Sequence, residues 1–387
     1  MQGTPSFLLT TTLVPPGMKI AMFTETWHPQ VNGVVSSTSW FADELVKQGH
    51  EVEIFAPSPG EDHYHEMPVH RFRSFTFPPY PEFRATIPPV RINKLVAGKG
   101  FDIIHTHGPF SMGLAGLYAA KRNHLPAVTT FHTPISDYVH YLFKGKYLNF
   151  LGQKTAWAYS AMHYNWYDTV ITPSKVIKGV LRDHGVRAKI EVVPTGISLK
   201  RFDSVKSSAS VRKKFDIGKA DFVLHTGRLS REKNVDDVLR AWKNIDTPLV
   251  ITSRGPELER LKRIAPDNVL FTGFVDDVDL VRLYKEAMFS VIASEAETQG
   301  LVILEGMACE CPVVGANALA IPETVVHKKN GLLFPLHDTK TLSRNVKLLA
   351  GDAVLRRKLG RSARKTAEAN TIELRTRELV ALYESLV

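Results

Sequence analysis

Two acidic side chains and a pair of cations carry the chemistry that can be read from this sequence. The stretch SEAETQGLVILEGMACEC, residues 294–311, sets Glu297 and Glu305 with seven residues between them. The pattern places Glu297 just after a buried strand, Gln299 and Gly300 in a turn, and Leu301 at the start of a helix running to Ala308. A helix start carries unsatisfied N–H groups and a partial positive charge, which suits a phosphate, and Gly300 lets a ligand approach the backbone closely. One turn along the helix, Glu305 is placed to accept two hydrogen bonds from a vicinal diol such as a ribose, with Glu297 towards a transferred sugar. Upstream, FVLHTGRLSREKNVDDV, residues 222–238, reads as a buried strand, Gly227, the cations Arg228 and Lys233, and a helix from about Asn234. Cations five residues apart at a strand-to-helix turn can clamp a diphosphate and neutralise its charge as it departs. Taken singly, the two glutamates read more readily as solvated surface charges, and the two cations equally well so.

The elements that must position them follow from an alternation of short apolar runs with longer periodic segments, the signature of a parallel sheet covered by helices. Strands are expected at 18–23, 51–56, 102–105, 127–131, 169–172 and 190–193, with a glycine-bearing turn at Asn32-Gly33 opening the first helix. The alternation restarts at 222–225 and continues at 248–251, 269–271, 289–292 and 313–315. The fold class is therefore α/β, with two doubly wound, Rossmann-like domains facing a central cleft. The first covers 18–195, a Pro/Gly/Ser-bearing linker covers 196–206, and the second covers 207–370. Residues 371–387 form a C-terminal helix able to pack back on the first domain. Residues 1–17, ending in Pro15-Pro16-Gly17, read as a loose extension. Open α/β sheets bind ligands beyond the carboxyl ends of their strands, so the cleft is the expected site.

At 387 residues the chain exceeds what one hydrophobic core serves, and its composition is that of an ordinary globular protein. The formal charge of +10 admits nucleic acid, anionic lipid or phosphorylated small molecules as partners. Lys and Arg outnumber Asp and Glu 18 to 14 in residues 1–195 and 31 to 25 thereafter. So even a spread disfavours a nucleic-acid module, which concentrates its positive charge. Cys309 and Cys311 stand too close together to staple a fold, and a reducing, cytoplasmic setting is expected. No apolar run reaches the length of a membrane span, so membrane contact would be peripheral, on the inner face of the cell membrane. His105 and His107 alternate on a strand and share a face, but no third ligand stands at metal spacing, and no metal is expected.

Gly227, Arg228 and Lys233, followed by the Glu297 and Glu305 pair, resemble the donor site of retaining GT-B glycosyltransferases, the large fourth family of sugar-nucleotide transferases. The likeness runs through FTETWHPQVNGVVSS, DIIHTHGP, TFHT, TPS, VVPTGIS, GRLSREKN, NVLFTGFV, ETQGLVILEGMA and NGLLFP, in that order. The resemblance implies that Glu297 contacts the transferred sugar and Glu305 the ribose, and that Arg228 and Lys233 grip the diphosphate. The turn residues Gln299, Gly300 and Leu301 would complete the donor contacts, and Gly33 would approach the donor phosphates from the first domain. His132 would bind sugar hydroxyls and position the acceptor, making it with Glu297 the catalytic pair. A nucleoside diphosphate sugar would serve as co-substrate with no metal or other cofactor. A same-face attack would retain the anomeric configuration, with the leaving phosphate taking the acceptor proton.

The motif ETQG is closer to diacylglycerol glucosyltransferases than to sucrose or glycogen enzymes, and points to UDP-glucose as donor. Between Asp137 and Tyr167, Tyr138, Tyr141, Phe143, Tyr147, Phe150, Trp157, Tyr159, Tyr164, Trp166 and Tyr167 stand among Lys144, Lys146 and Lys154. That mixture suits an anionic membrane surface presenting a lipid acceptor, although core packing claims part of it. Three other readings stay open: a mannosyltransferase acting on a phosphoinositide or soluble glycan, a non-catalytic nucleotide-sugar-binding protein, and a basic nucleic-acid protein. One departure from the family pattern is Ser253-Arg254-Gly255-Pro256, where a Gly-Asp-Gly-Pro-like turn is common, which puts the contact with the nucleotide base in doubt.

Overall fold

The protein is described by a computed structural model covering residues 17–30, 32–76, 84–87, 92–132 and 146–387. Residues 1–16 of the expected extension lie outside it, as do Tyr138, Tyr141, Phe143 and Lys144 and the side chains of Lys146 and Tyr147. Gly17 belongs to the fold. A Cβ there would lie 1.8 Å from the Gly49 carbonyl, and the next residue, Met18, donates its N–H to His50 Nδ1 at 3.0 Å.

The first sheet contains β1 (Lys19–Thr24), β2 (Glu51–Pro57), β3 (His63–Tyr64) and β4 (Met67–Phe72). A separate two-stranded ribbon, β5 (Ser74–Thr76) with β6 (Arg84–Thr86), follows. The sheet resumes with β7 (Ile103–His107), β8 (Ala127–Thr130), β9 (Thr169–Thr172) and β10 (Lys189–Val192). Its order is β10-β9-β8-β7-β1-β2-β4-β3, parallel except at the β3–β4 edge. The second sheet comprises β11 (Val223–His225), β12 (Leu249–Thr252), β13 (Val269–Gly273), β14 (Ser290–Ile292), β15 (Val313–Ala316) and β16 (Gly331–Phe334), in the order β13-β12-β11-β14-β15-β16. Each expected strand coincides with an observed one to within two residues. The strands not expected from the sequence are β3 to β6 and β16: β3 and β16 lie at sheet edges, β5 and β6 are three-residue strands of the separate ribbon, and β4 lies inside the sheet but is interrupted by Pro68, His70 and Arg71.

Strand order decides where ligands can go. In the first sheet the winding reverses between β1 and β7, and in the second between β11 and β14, so each domain opens one crevice at the carboxyl ends of those strands. Both domains are fully wound around their own cores.

The segment expected as a linker is ordered and packed. Ile197 and Phe202, the latter on the short helix Leu199–Ser204, are buried in the second domain's core. The chain crosses back at Asn370 to Ile372, and the two crossings are bonded side by side: Ile197 N–H donates to Asn370 O and Ile372 N–H to Ile197 O, both at 3.0 Å. The C-terminal helix Ile372–Glu384 then buries Ile372, Leu379, Leu382 and Tyr383 in the first domain's core. Gly196 permits this approach, since a Cβ would lie 2.3 Å from Thr371 O. Gly196→Ala is therefore expected to destabilise the protein by about 2 kcal/mol. Urea unfolding measures this, and an unchanged midpoint would mean that the crossings separate freely.

Candidate functional site

The two loops of the second domain's crevice are built as one unit. After β11 the chain passes Gly227, at φ 121°, and the half-buried Arg228, and reaches a single 3-10 turn at Arg231–Lys233. Asn234 adopts a left-handed conformation at φ 48°, where Asn is among the few non-glycine residues tolerated, and starts the helix Val235–Trp242. The opposite loop, after β14, donates Glu295 N–H and Ser294 Oγ to the Glu232 carbonyl at 3.1 and 3.4 Å. The same junction pairs Lys233 Nζ with Glu297 Oε1 at 2.6 Å. Two residues expected to meet a ligand's diphosphate and its sugar thus neutralise each other. The Ser253–Pro256 turn packs beneath: Leu229 N–H donates to Arg254 O at 3.0 Å, and a Cβ on Gly255 would lie 2.2 Å from Leu229 O. Ser253 occupies φ 107°, a region that favours glycine, so the turn holds a non-glycine residue in a strained backbone conformation.

Gly300 sits at φ 80° and leads into the helix Leu301–Ala308, whose first turn no side chain among the described residues caps. A Cβ on Gly300 would press on Ile303 Cδ1 at 2.9 Å. Glu305 is buried on this helix with Arg201 Nη1 3.6 Å from its Oε1. Burial pushes its carboxyl above the usual range, and Arg201 offsets part of that. Arg201 also pairs with Asp277 at 3.2 Å and lies over the Trp40 ring, so a first-domain aromatic reaches the second domain's carboxylate through it. Spacing gives no sign of Arg201, because it lies in the expected linker, far from Glu305 in sequence.

Gln299 has a different task from the one its position suggested. Its amide makes two bonds to one residue at the chain crossing: Oε1 accepts Thr195 N–H at 2.8 Å and Nε2 donates to Thr195 O at 2.6 Å. Its side chain is thereby committed, and only backbone remains to offer a ligand. Thr195 Oγ1 shares a hydrogen bond with Ser37 Oγ at 2.6 Å, one turn into the helix Gly33–Lys47. Gly33 opens that helix, with Asn32 Oδ1 accepting from Val34 and Val35 N–H. A Cβ on Gly33 would meet nothing within 4 Å and its φ is not positive, so turn geometry does not explain the glycine.

His132 follows β8 in the first domain, and its carbonyl accepts Thr298 Oγ1 at 2.9 Å, which sets it beside the Glu297 loop. Its ring bonds to His107, Nε2 to Nδ1 at 3.0 Å. The His105 ring lies tilted against His107 with ring centres 4.1 Å apart, and spends its own nitrogens on Tyr383 Oη at 2.5 Å and Thr130 Oγ1 at 2.7 Å. Desolvation pushes His132 down to about 4, and drives His105 and His107 below the ordinary histidine range, so the cluster is neutral at pH 7. Among the described residues no group of three His, Cys, Asp or Glu side chains is arranged to hold a metal ion. The structure thus brings Lys233, Glu297 and the Gly300–Leu301 turn together, ties them to His132 and the Gly33 helix through Thr298 and Gln299, and leaves Glu305 with Arg201.

The comparisons with known proteins agree with this architecture. Residues 31–201 match the family described as Glycosyltransferase Family 4, and residues 207–366 match Glycosyl transferases group 1. The alpha-monoglucosyldiacylglycerol synthase of Streptococcus pneumoniae is 32% identical over 338 residues, covering 82% of this chain and 75% of that protein. The chain belongs to the family-4 glycosyltransferases. A second protein of the same name, from Acholeplasma laidlawii, is 28% identical over 82% of this chain and 85% of its own. A GDP-mannose-dependent alpha-mannosyltransferase of Corynebacterium glutamicum is 28% identical over 84% and 78%. The glycosyltransferase shares its GT-B fold with sucrose-phosphate synthase of Thermosynechococcus elongatus, at TM-score 0.77 and 21% identity over 95% of this chain and 99% of that one.

The aromatic stretch divides on the surface of the glycosyltransferase. Tyr164 and Tyr167 are buried, and Trp157 stacks on His184. Phe150, Leu151, Met162 and Trp166 are exposed, with Lys154 Nζ over the Phe150 ring at 4.7 Å. Tyr159 donates its hydroxyl to Pro109 O, joining this helix, Lys146–Tyr164, to the start of Ser111–Asn123. Phe110, Leu114 and Tyr118, spaced four apart, are exposed there as well. Among the described residues no helix is long and apolar enough to cross a membrane.

One buried acid was not anticipated. Glu25, at the first domain's crevice, accepts Met112 N–H at 2.9 Å and Gly113 N–H at 3.0 Å, capping Ser111–Asn123 with its own carboxyl. Burial still dominates and pushes the group up to about 7. Between the unfolded value of 4.5 and 7 the native state holds a proton that the unfolded chain has lost, so this residue's contribution to stability falls as pH rises through that window. Glu25→Gln removes the penalty. Its stability relative to wild type should be higher at pH 8 than at pH 5 by on the order of 2 kcal/mol. Thermal unfolding at the two pH values checks this, and an equal difference at both would refute a buried, titrating Glu25.

Proposed function

We propose that the protein transfers glucose from UDP-glucose to a membrane lipid of the diacylglycerol type, with retention of the anomeric configuration. The observation that carries the reading is the Lys233–Glu297 pair bridging the crevice of the second domain next to an uncapped helix start. A diphosphate arriving there would meet Arg228, Lys233 and the backbone amides of Gly300 and Leu301, and its charge would compete Lys233 away from Glu297. Glu297, released, would lie beside the sugar as its C1–O bond lengthens into an oxocarbenium-like state. Glu305 would accept the ribose hydroxyls. Gly33, whose missing side chain nothing in the fold demands, would bring first-domain backbone close to the phosphates. The acceptor hydroxyl then attacks C1 from the face that the phosphate leaves, and its proton passes to the departing phosphate oxygen. His132 would order the sugar hydroxyls for this step.

The lipid acceptor is supported by the two relatives named alpha-monoglucosyldiacylglycerol synthase and by the exposed aromatic face on Ser111–Asn123 and Lys146–Tyr164, which also carries Lys121, Arg122 and Lys154. The relatives named GDP-mannose-dependent alpha-mannosyltransferase support mannosyl transfer as the second reading.

Incubation with a panel of nucleoside diphosphate sugars and diacylglycerol vesicles separates the two, with the product identified by mass and its linkage by NMR. UDP-glucose is expected to give an α-linked monoglucosyl lipid, and a mannosylated product from GDP-mannose alone would replace the first reading with the second. Lys233→Ala should lower kcat by about 100-fold or more, the scale of losing one charge-stabilising contact at a leaving group. Unchanged turnover would discard the diphosphate clamp. For the acceptor side, Phe150→Glu with Trp166→Glu should abolish most sedimentation with anionic vesicles while leaving hydrolysis of UDP-glucose intact. Sedimentation equal to wild type would place the membrane face elsewhere.

A further inference from the structure

We infer that His107 is a positioning residue that locks His132 in its Nδ1–H tautomer, so that the site histidine presents a hydrogen-bond donor to the cleft. The inference builds on the reading of His132 as a sugar-facing residue, but its central claim concerns only the two rings.

Three observations lead there. The rings share one hydrogen bond, His107 Nδ1 to His132 Nε2 at 3.0 Å, and since both are neutral, one nitrogen donates and the other accepts. His107 Nε2 is buried and has no hydrogen-bond partner among the described residues. If His132 donated, His107 would accept at Nδ1 and its proton would sit on Nε2, a buried N–H with no acceptor. If His107 donates, Nε2 holds only an unpaired acceptor lone pair. An orphaned buried N–H is rarer in folded proteins than an unpaired acceptor, so the geometry favours the second arrangement. His132 then accepts at Nε2, and its proton stays on Nδ1, the ring's other polar atom.

The remaining surroundings hold His107 in place. His105 packs tilted against it at 4.1 Å between centres and is itself pinned by Tyr383 Oη from the C-terminal helix and by Thr130 Oγ1 from β8. The Glu25 N–H reaches the His107 carbonyl at 3.5 Å from the neighbouring strand end. A donor at His132 Nδ1 would bind a sugar hydroxyl through its oxygen, whereas an acceptor there would bind the same hydroxyl through its hydrogen, so the tautomer sets the sense of the contact.

The test uses the full chain labelled with 15N, with the His132 resonances assigned by comparison with His132→Asn. The expected spectrum at pH 7 shows a protonated, pyrrole-type Nδ1 and a bare, pyridine-type Nε2 on His132, and a protonated Nδ1 on His107. The reverse pattern on His132 overturns the inference whatever the activity. In transfer assays, His107→Leu should lower kcat about tenfold at nearly constant donor KM, the size of one lost hydrogen bond. His107→Asn, whose amide can donate from the Nδ1 position, should recover most of the loss. Loss of rate equal in both variants, or in neither, counts against the positioning role, with thermal unfolding distinguishing misfolded samples. If His132→Ala itself transfers at the wild-type rate, the sugar-facing reading of His132 fails, while the 15N pattern still decides the tautomer.

Discussion

The clamp of Gln299 on Thr195 is the contact on which the rest of the site depends. A primary amide can satisfy a peptide N–H and a peptide C=O of one residue at once, and here it does so in a buried setting where leaving either group unmet would be costly. The effect is to fix the loop after β14 against the chain at its exit from the first domain. From that point the contacts spread outward: Thr195 to Ser37 and the helix that begins at Gly33, Thr298 to the carbonyl of His132, and Ser174 Oγ to Thr298 O at 2.7 Å. A few ångströms of chain therefore decide how two separately folded crevices face each other.

Charge is distributed in keeping with that geometry. The second-domain crevice is ionic, with Lys233 against Glu297 and Arg201 near Glu305, and is suited to exchanging internal partners for those of a charged ligand. The first-domain side is buried and neutral, with three histidines held unprotonated by desolvation and a glutamate whose ionisation is opposed by the same cause. A docked carboxylate appears once more at the seam, where Glu323 accepts Lys175 and Val176 N–H at 2.9 and 2.6 Å and so places a second-domain anion on a first-domain helix start. Polar contacts of this kind join the halves near the site. Such joints can be remade as the domains shift.

The two crossings of the chain add a mechanical element. Ile197 and Thr371 pair where the domains exchange strands of chain, and the C-terminal helix carries Tyr383 back to His105. The last helix is thus part of the wall behind the histidine cluster, although nearly the whole second domain separates it from that cluster in sequence.

Much of this was legible beforehand because it is local. Buried parallel strands need continuous apolar runs, and helix starts and tight turns need glycine or a capping residue, so the alternation, both switch-point loops and the order of elements follow from residues within a few positions of one another. Glu297, Glu305, Arg228, Lys233 and His132 stood out for the same reason, each lying at a strand end or on the helix that follows one. The sequence by itself determined the two doubly wound domains and the positions of these residues along them. Only the tertiary structure decided that Gln299 turns away to Thr195, that Lys233 rests on Glu297, that Arg201 attends Glu305 and that His107 reaches His132. Those pairings join residues separated by 25 to more than 100 positions, and their energies depend on burial and distance that no spacing encodes.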